Sequence, residues 1–286
     1  PIALGHRRLK IMDLSDGSAQ PMVDAQLGLS LAFNGAIYNF PQLREELEAL
    51  GYAFYSGGDT EVLLKGYHAW GEALLPKLNG MFAFAIWERD AQRLFIARDR
   101  LGVKPLYLSR TGQRLRFASA LPALLKGGDI NPILDPVALN HYLNFHAVVP
   151  APRTLLAGIE KLPPASWLRI DASGKTEQKT WWTLTYGPHE DEKNLSLEDW
   201  TDRVLDSTRE AVAIRQRAAV DVGVLLSGGV DSSMLVGLLR EVGVQDLSTF
   251  SIGFEDAGGE AGNEFQYSDL IAKQYGARHH QLRIAQ

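Results

Sequence analysis

The sequence predicts two folds in tandem: an α+β first half on largely antiparallel sheets, then part of an α/β unit with a doubly wound parallel sheet. Three observations carry this. Between about residues 27 and 119, helical patterns fall in one block and strand-and-turn patterns in another, which is the α+β arrangement. From Ser196 onward, strand and helix patterns alternate, as parallel sheets with crossover helices require. A breaker-rich junction (Gly127, Gly128, Pro132, Asp135, Pro136) lies between them. The division read from this is 1–130, a connecting segment 131–195, and 196–286.

In the first half, Leu27–Phe33 alternates as a strand and meets Asn34-Gly35, a strong short-range hairpin signal because both residues tolerate positive φ. Phe40–Leu50 reads as a helix with Pro41 in its first turn, Leu43, Leu47 and Leu50 on one face, and Gly51 ending it. Ser56–Thr60 is a loop whose Asp59 or Thr60 would cap a helix over Glu61–Trp70. Met81–Trp87 and Arg93–Arg98 are strands joined by a polar turn, and Pro105–Ser109 pairs with Arg114–Ser119 as another hairpin. The charges of Arg98-Asp99-Arg100 and Lys104 fit a solvated loop.

Beyond the junction come a helix at Val137–Phe145 and a loop at Val149–Arg153. Ser196–Asp199 has the form of a capping box opening a helix to about Arg217, with Trp200, Val204, Leu205, Ala211 and Ile214 on its buried side. Then follow a strand (Val220–Leu226), a helix (Met234–Glu241), a strand (Leu247–Ile252), a helix (Phe265–Tyr275) and a strand (Arg278–Leu282). His279 and His280 are strand neighbours, pointing to opposite faces, so they cannot chelate one ion together.

Bulk properties narrow the function classes. The 286 residues suffice for one large or two ordinary domains, with 45% hydrophobic and 22% charged residues, as in ordinary globular proteins. A net charge of −5 without a basic stripe argues against nucleic acid or anionic membrane as the main partner. No apolar run reaches transmembrane length. Arg7-Arg8 is followed by Asp13, Ser15 and Asp16 rather than an apolar segment, so it is not read as a twin-arginine export signal. The absence of Cys excludes disulfides and thiolate metal sites and points to a cytoplasmic setting. A start at Pro1 and a stop after a strand suggest a piece of something longer.

Val222–Ser233, reading V-G-V-L-L-S-G-G-V-D-S-S, is the clearest chemical signal. A buried strand ends at Ser227, turns through Gly228 and Gly229, and enters a helix at Asp231–Ser233. Such a turn is an anion site, because glycines allow close backbone approach and the first N–H groups of a helix lack internal partners. It matches neither G-x-G-x-x-G nor a Walker loop, and no Lys follows Gly229.

Motifs in the first half follow one another in a specific order: H-R-R-L-K-I-M-D-L (His6–Leu14), Q-P-M (Gln20–Met22), F-N-G-A-I-Y-N (Phe33–Asn39), G-G-D-T-E-V-L-L (Gly57–Leu64), N-G-M-F-A-F-A-I-W (Asn79–Trp87) and I-A-R-D-R-L-G-V-K-P-L-Y (Ile96–Tyr107). Together they resemble the class II glutamine amidotransferase (glutaminase) domain found in glutamine-dependent asparagine synthetases, an Ntn-hydrolase-like fold. Ile159–Ala165 and Trp181-Trp182 resemble the segment joining the two domains of that family, although the tryptophans are equally suited to packing. S-G-G-V-D-S resembles the pyrophosphate loop of the ATP pyrophosphatases.

That resemblance implies roles. Arg8 would pair with the glutamine α-carboxylate, Asp59 would hold its α-ammonium, and the Asn34 side chain and Gly35 N–H would stabilise a tetrahedral oxyanion. The family's nucleophile, an N-terminal Cys, is expected upstream of Pro1, so the 286 residues alone would hydrolyse no glutamine. Ala36 stands where the family commonly has Glu, leaving Asp59 more of the ammonium. In the second half, Ser227, Gly228, Gly229, Ser232 and Ser233 would receive ATP phosphates, Leu225 and Ile252 would flank the adenine, and Asp231 with Glu264 would hold Mg²⁺.

The implied activity is amide synthesis from ATP, glutamine and a carboxylate acceptor, with ammonia passed from a glutaminase site to an acyl-adenylate, in a homodimer. Aspartate is the expected acceptor. N-G-A-I-Y-N and N-E-F-Q-Y-S-D-L (Asn263–Leu270) also resemble the N-acetylglutaminylglutamine amide synthases of the same family. A relative that binds ligands without glutaminase chemistry is a third alternative, and a phosphoribosyl- or sugar-phosphate-linked amidotransferase would share the first half without predicting S-G-G-V-D-S.

Overall fold

The computed structural model describes residues 1–187, 189–254 and 263–284. The chain forms two compact units, Pro1–Tyr186 and Gly187–Gln286. The segment 131–186, read from sequence as connector, thus belongs to the first unit.

The first unit is built on a six-stranded antiparallel sheet in the order β1-β2-β3-β4-β8-β9: β1 (Met22–Asp24), β2 (Leu29–Ile37), β3 (Gly80–Glu88), β4 (Arg93–Arg98), β8 (Ser166–Ile170) and β9 (Thr176–Thr180). A second antiparallel sheet has the order β6-β5-β7, from β5 (Tyr107–Thr111), β6 (Arg114–Ala118) and β7 (Ile159–Lys161). Side chains of β3 alternate between two cores, as the twofold strand period dictates. Phe82, Phe84 and Ile86 pack with helices α1 (Phe40–Ala49) and α2 (Asp59–Trp70), whose Leu43, Leu47, Leu63 and Leu64 are buried there. Ala83 and Ala85 instead pack with Leu108 of the second sheet and with Leu106 just before it. Small residues on that face let the sheets approach, while the aromatic face fills the space under the helices.

Three local expectations change. Asn34-Gly35 is not a turn: β2 runs straight through it to Ile37, with Gly35 opposite Phe82 of β3. Glycine is needed there for space, since a Cβ would overlap the Met81 carbonyl; Gly80 is likewise pressed against the Ala36 carbonyl. Leu50 is exposed because α1 stops at Ala49 and Gly51, at φ +92°, turns the chain away. Arg98 and Asp99 are buried rather than solvated. The Asp99 carboxylate accepts from the N–H groups of Phe82, Leu101, Val103 and Lys104, and the Arg98 guanidinium donates to the carbonyls of Gly102, Lys104 and Leu162. Each charge therefore replaces the water that a buried turn would otherwise need. Two further helices, α3 (Leu74–Lys77) and α4 (Leu121–Lys126), follow α2 and β6. Helix α5 (Pro136–Asn144) is capped by the Asp135 carboxylate, which accepts from Val137 and Ala138 N–H. Trp181 packs on Phe82 at 6.2 Å between ring centroids and donates from Nε1 to the Arg98 carbonyl.

The second unit is a parallel sheet β10-β11-β12: β10 (Gly223–Leu225), β11 (Ser248–Phe254) and β12 (Arg278–Ile284), alternating with α7 (Val230–Glu241) and α8 (Phe265–Gln274). Helix α6 (Leu197–Arg215) precedes them, and its capping box is complete: Ser196 accepts from Asp199 N–H, and the Asp199 carboxylate accepts from Ser196 N–H. Val212 is the buried residue of α6; Trp200 and Val204, placed on its buried side by periodicity, are exposed. His279 and His280 part as expected, one ring against Thr249 Oγ1 at 2.8 Å and the other stacked on Phe250. Among the described residues no helix is long and apolar enough to cross a membrane.

Candidate functional site

In the first unit, two of the predicted groups, the Asp59 carboxylate and the Gly35 N–H, share one edge of β2. Strand β1 pairs only with Leu29–Leu31, so beyond Leu31 the outer N–H groups of β2 need other partners. Gln20 Oε1 accepts from Phe33 N–H at 2.7 Å, and Asp59 Oδ2 accepts from Ile37 N–H at 2.9 Å. Backbone groups alternate sides along a strand, so the Gly35 N–H points to this same edge, midway between the two capped donors.

Asp59 reaches Ile37 because α2 begins two residues earlier than periodicity suggested. Gly58 occupies the cap without a side-chain bond, and Asp59 sits in the first turn. It is 4% exposed. Burial pushes its carboxyl up to about 6, against the opposing pull of the Ile37 N–H, its own N–H, the Arg8 charge and the Thr60 N–H. Arg8 and Asp59 therefore lie within electrostatic reach of each other. Arg8 is half-buried, and its guanidinium donates to the main-chain carbonyls of Ser15, at 3.0 Å, and Asp13. Both acceptors are main-chain carbonyls, so neither bond neutralises the Arg8 charge.

The Asn34 side chain projects from the other side of β2. Asn34 is opposite Ala83 and, with Pro1–His6, lines a cleft of about 1130 Å³ between the two sheets. The His6 Nδ1 atom is buried without a hydrogen-bond partner among the described residues, and burial, opposed by a bond to the Phe33 backbone, lowers the basicity of the ring.

Sequence reasoning did not single out the residues that hold the Asp59 turn. Glu61, fully buried with Lys65, accepts from the N–H groups of Tyr55 and Ser56 and from Ser56 Oγ. The Arg44 guanidinium donates to the Ser56 carbonyl at 2.8 Å. Asp13 accepts from Gly57 N–H at 3.0 Å. Glu61 and Asp13 lay inside the quoted motifs, but a motif does not reveal that its carboxylate crosses to another loop.

In the second unit, Ser227–Ser233 joins β10 to α7. Gly228, at φ +86°, is the residue that a side chain could not replace: a Cβ would come to 2.5 Å from Tyr267 Cβ and 2.9 Å from Ser268 N. The hydroxyls of Ser227 and Ser232 lie 3.1 Å apart, Gly229 N–H donates to Ser227 Oγ at 3.3 Å, and Ser232 Oγ donates to the Gly229 carbonyl at 3.2 Å. Helix α7 starts at Val230, earlier than expected, with Gly229 as a cap that offers no side chain, so its first-turn N–H groups remain available. Ser233 Oγ is buried without a partner among the described residues. Ser227, Ile252 and Glu264 line one cleft of about 280 Å³; Leu225 and Asp231 do not. Leu225 and Ile252 are both exposed, at 76% and 56%. Among the described residues no cluster of three His, Asp or Glu side chains could bind a metal ion.

Residues 1–182 match the glutamine amidotransferase domain, and residues 203–286 match asparagine synthase. Asparagine synthetase [glutamine-hydrolyzing] 1 of Bacillus subtilis (strain 168) is 40% identical over 258 residues, covering 90% of this chain and 39% of that protein. Asparagine synthetase [glutamine-hydrolyzing] 3 of the same organism is 31% identical, covering 100% of this chain and 48% of that protein. The chain thus spans less than half the length of these relatives. The solved glutamine phosphoribosylpyrophosphate amidotransferase from B. subtilis aligns at 17% identity with a TM-score of 0.41, over 89% of this chain and 70% of that one. The chain belongs to the glutamine amidotransferase domain family, in the form that continues into an asparagine synthase domain.

Proposed function

We propose that the protein makes amides with ATP and glutamine, as a glutamine-hydrolysing asparagine synthase-type ligase of the cytoplasm. The observation that carries this is the Arg8 charge within electrostatic reach of Asp59, whose carboxylate shares one edge of β2 with the Gly35 N–H, in a chain that also holds the Ser227–Ser233 loop. Glutamine has an α-carboxylate for the Arg8 fork and an α-ammonium for the Asp59 carboxylate. Binding that ammonium offsets the burial that now holds the Asp59 carboxyl at about 6. The Gly35 N–H and the Asn34 amide would take the oxyanion as charge develops. None of the 286 residues supplies a thiol, so clamp and oxyanion donors are the parts assigned to this chain.

At the second site, the first-turn N–H groups of α7 and the hydroxyls of Ser227, Ser232 and Ser233 would receive ATP phosphates, with Gly228 and Gly229 allowing close approach. Leu225 and Ile252 would flank the adenine. Mg²⁺ is commonly held by one or two carboxylates plus phosphate oxygens; Asp231, in the first turn of α7, and Glu264, on the cleft that Ser227 lines, are the carboxylates that would hold it, and the unpartnered Ser233 Oγ is consistent with a polar ligand. Bound there, the ion would neutralise phosphate charge. The acceptor is aspartate in this proposal. Full-length protein assayed with ATP, glutamine and either aspartate or N-acetylglutaminylglutamine tests it: turnover of aspartate to asparagine is expected, and turnover of the dipeptide alone would replace aspartate as acceptor.

A further inference from the structure

We propose that Asp13 is a positioning residue that joins the two ends of the amino-acid clamp, an inference that rests on reading Arg8 and Asp59 as the glutamine site. Its carboxylate serves two stretches of chain at once. Oδ1 accepts from Ser15 N–H at 2.8 Å, a local turn. Oδ2 accepts from Ser18 Oγ at 2.6 Å and, 44 residues away, from Gly57 N–H at 3.0 Å. The main-chain carbonyl of the same residue receives the Arg8 guanidinium. One residue thus fixes the cation that would meet the carboxylate end of glutamine and the turn that delivers Asp59 to its ammonium end.

The packing leaves little slack at this junction. Gly58, next to Asp59, lies so close to the Asp13 segment that a Cβ would come to 2.7 Å from Ser18 Oγ and 3.1 Å from Asp13 Cβ. Burial of Asp13 opposes ionisation, but the bonds from Ser18, Ser15 and Gly57 outweigh it and hold the carboxyl well below the usual range, so it is a charged acceptor at neutral pH. On its other side the turn has separate support from Glu61 and Arg44. Loss of the Asp13 carboxylate should therefore let the Arg8 segment drift from the turn without unfolding it. The charged ends of an amino acid keep their contacts unchanged while its side-chain amide reacts, so loosening those contacts removes binding common to ground and transition states and is read in KM.

Asp13→Ala and Ser18→Ala in the full-length protein, with Arg8→Ala as comparator, test this through initial rates of glutamine hydrolysis. Asp13→Ala should raise KM for glutamine about tenfold while kcat stays within about threefold, the split expected when ground-state holding is lost. Ser18→Ala, which removes one bond to the carboxylate and keeps Asp13, should shift KM the same way by a smaller factor, and it decides the matter if Asp13→Ala fails to fold. If Arg8→Ala raises KM but neither other variant does, Asp13 is only a local turn residue and the proposal falls. A KM unmoved by Arg8→Ala overturns the glutamine-site reading itself, and the Asp13 proposal with it. A fall in kcat with KM unchanged contradicts positioning.

Discussion

Asp59→Asn separates the cost of a binding group from its use. Burial holds the Asp59 carboxyl at about 6 in the folded chain, against a reference of 3.8. The folded state therefore binds this proton more tightly than the unfolded state does. Stability falls as pH rises between the two values, because the native carboxyl must ionise in a place that disfavours charge. The difference corresponds to a loss of about 3 kcal/mol, fully present above pH 6 and absent well below pH 4. Of this, about 2 kcal/mol develops between pH 4.5 and pH 7.5. An asparagine side chain at this position would have nearly the same shape, could still accept from Ile37 N–H, and carries no titrating proton. The stability of the variant relative to wild type should thus improve by about 2 kcal/mol over that interval. Urea unfolding followed by tryptophan fluorescence is a suitable assay, since five of the six tryptophans (Trp70, Trp87, Trp167, Trp181 and Trp182) lie in the first unit. The same variant should lose glutamine binding, having no charge for an ammonium. A pH-independent difference, or one that shifts in favour of wild type as pH rises, would refute the claim that Asp59 is a strained carboxylate awaiting a cation.

Four further outcomes are expected. Glutamine binding by the wild type should weaken below about pH 6, as Asp59 takes up a proton and can no longer pair with an ammonium; titration calorimetry across pH 5 to 8 measures this. Arg8→Ala should weaken glutamine-driven synthesis and leave ammonia-driven synthesis working, and equal loss of both would mean that Arg8 is structural. Asp231→Ala should abolish ATP-dependent amide formation while sparing glutaminase activity; undiminished synthesis would remove the pyrophosphate-loop assignment. Gly35→Ala should destabilise the first unit by about 1–3 kcal/mol, because its Cβ meets the Met81 carbonyl rather than a flexible side chain, and denaturant melts resolve such a change.

Local patterning made much of the fold legible. Strands β3 and β4, the α7–α8 alternation and the Ser196–Asp199 capping box emerged near their observed positions, because each is set by short-range periodicity or a local hydrogen bond. Misreadings arose where a distant partner decides the conformation. Asn34-Gly35 has turn chemistry, yet β3 pairs along all of β2 and the small residue is demanded by the Met81 carbonyl. Arg98-Asp99 looked solvated because four N–H groups gathered from a folded turn cannot be seen in a charge pattern. For the candidate site, motif order singled out Arg8, Asn34, Gly35 and Asp59 together. The Asp13–Gly57 bond depends on two loops meeting, which no spacing in the sequence announces.

Transfer of the amide nitrogen of glutamine onto an ATP-activated carboxylate by one protein can be followed with full-length protein given glutamine labelled with ¹⁵N in its side-chain amide, together with aspartate and ATP. The ¹⁵N is expected in the carboxamide of asparagine, with AMP and pyrophosphate formed in equal amount to product. Label released only as ammonium, or ATP cleaved to ADP and phosphate, would rule out the proposed function.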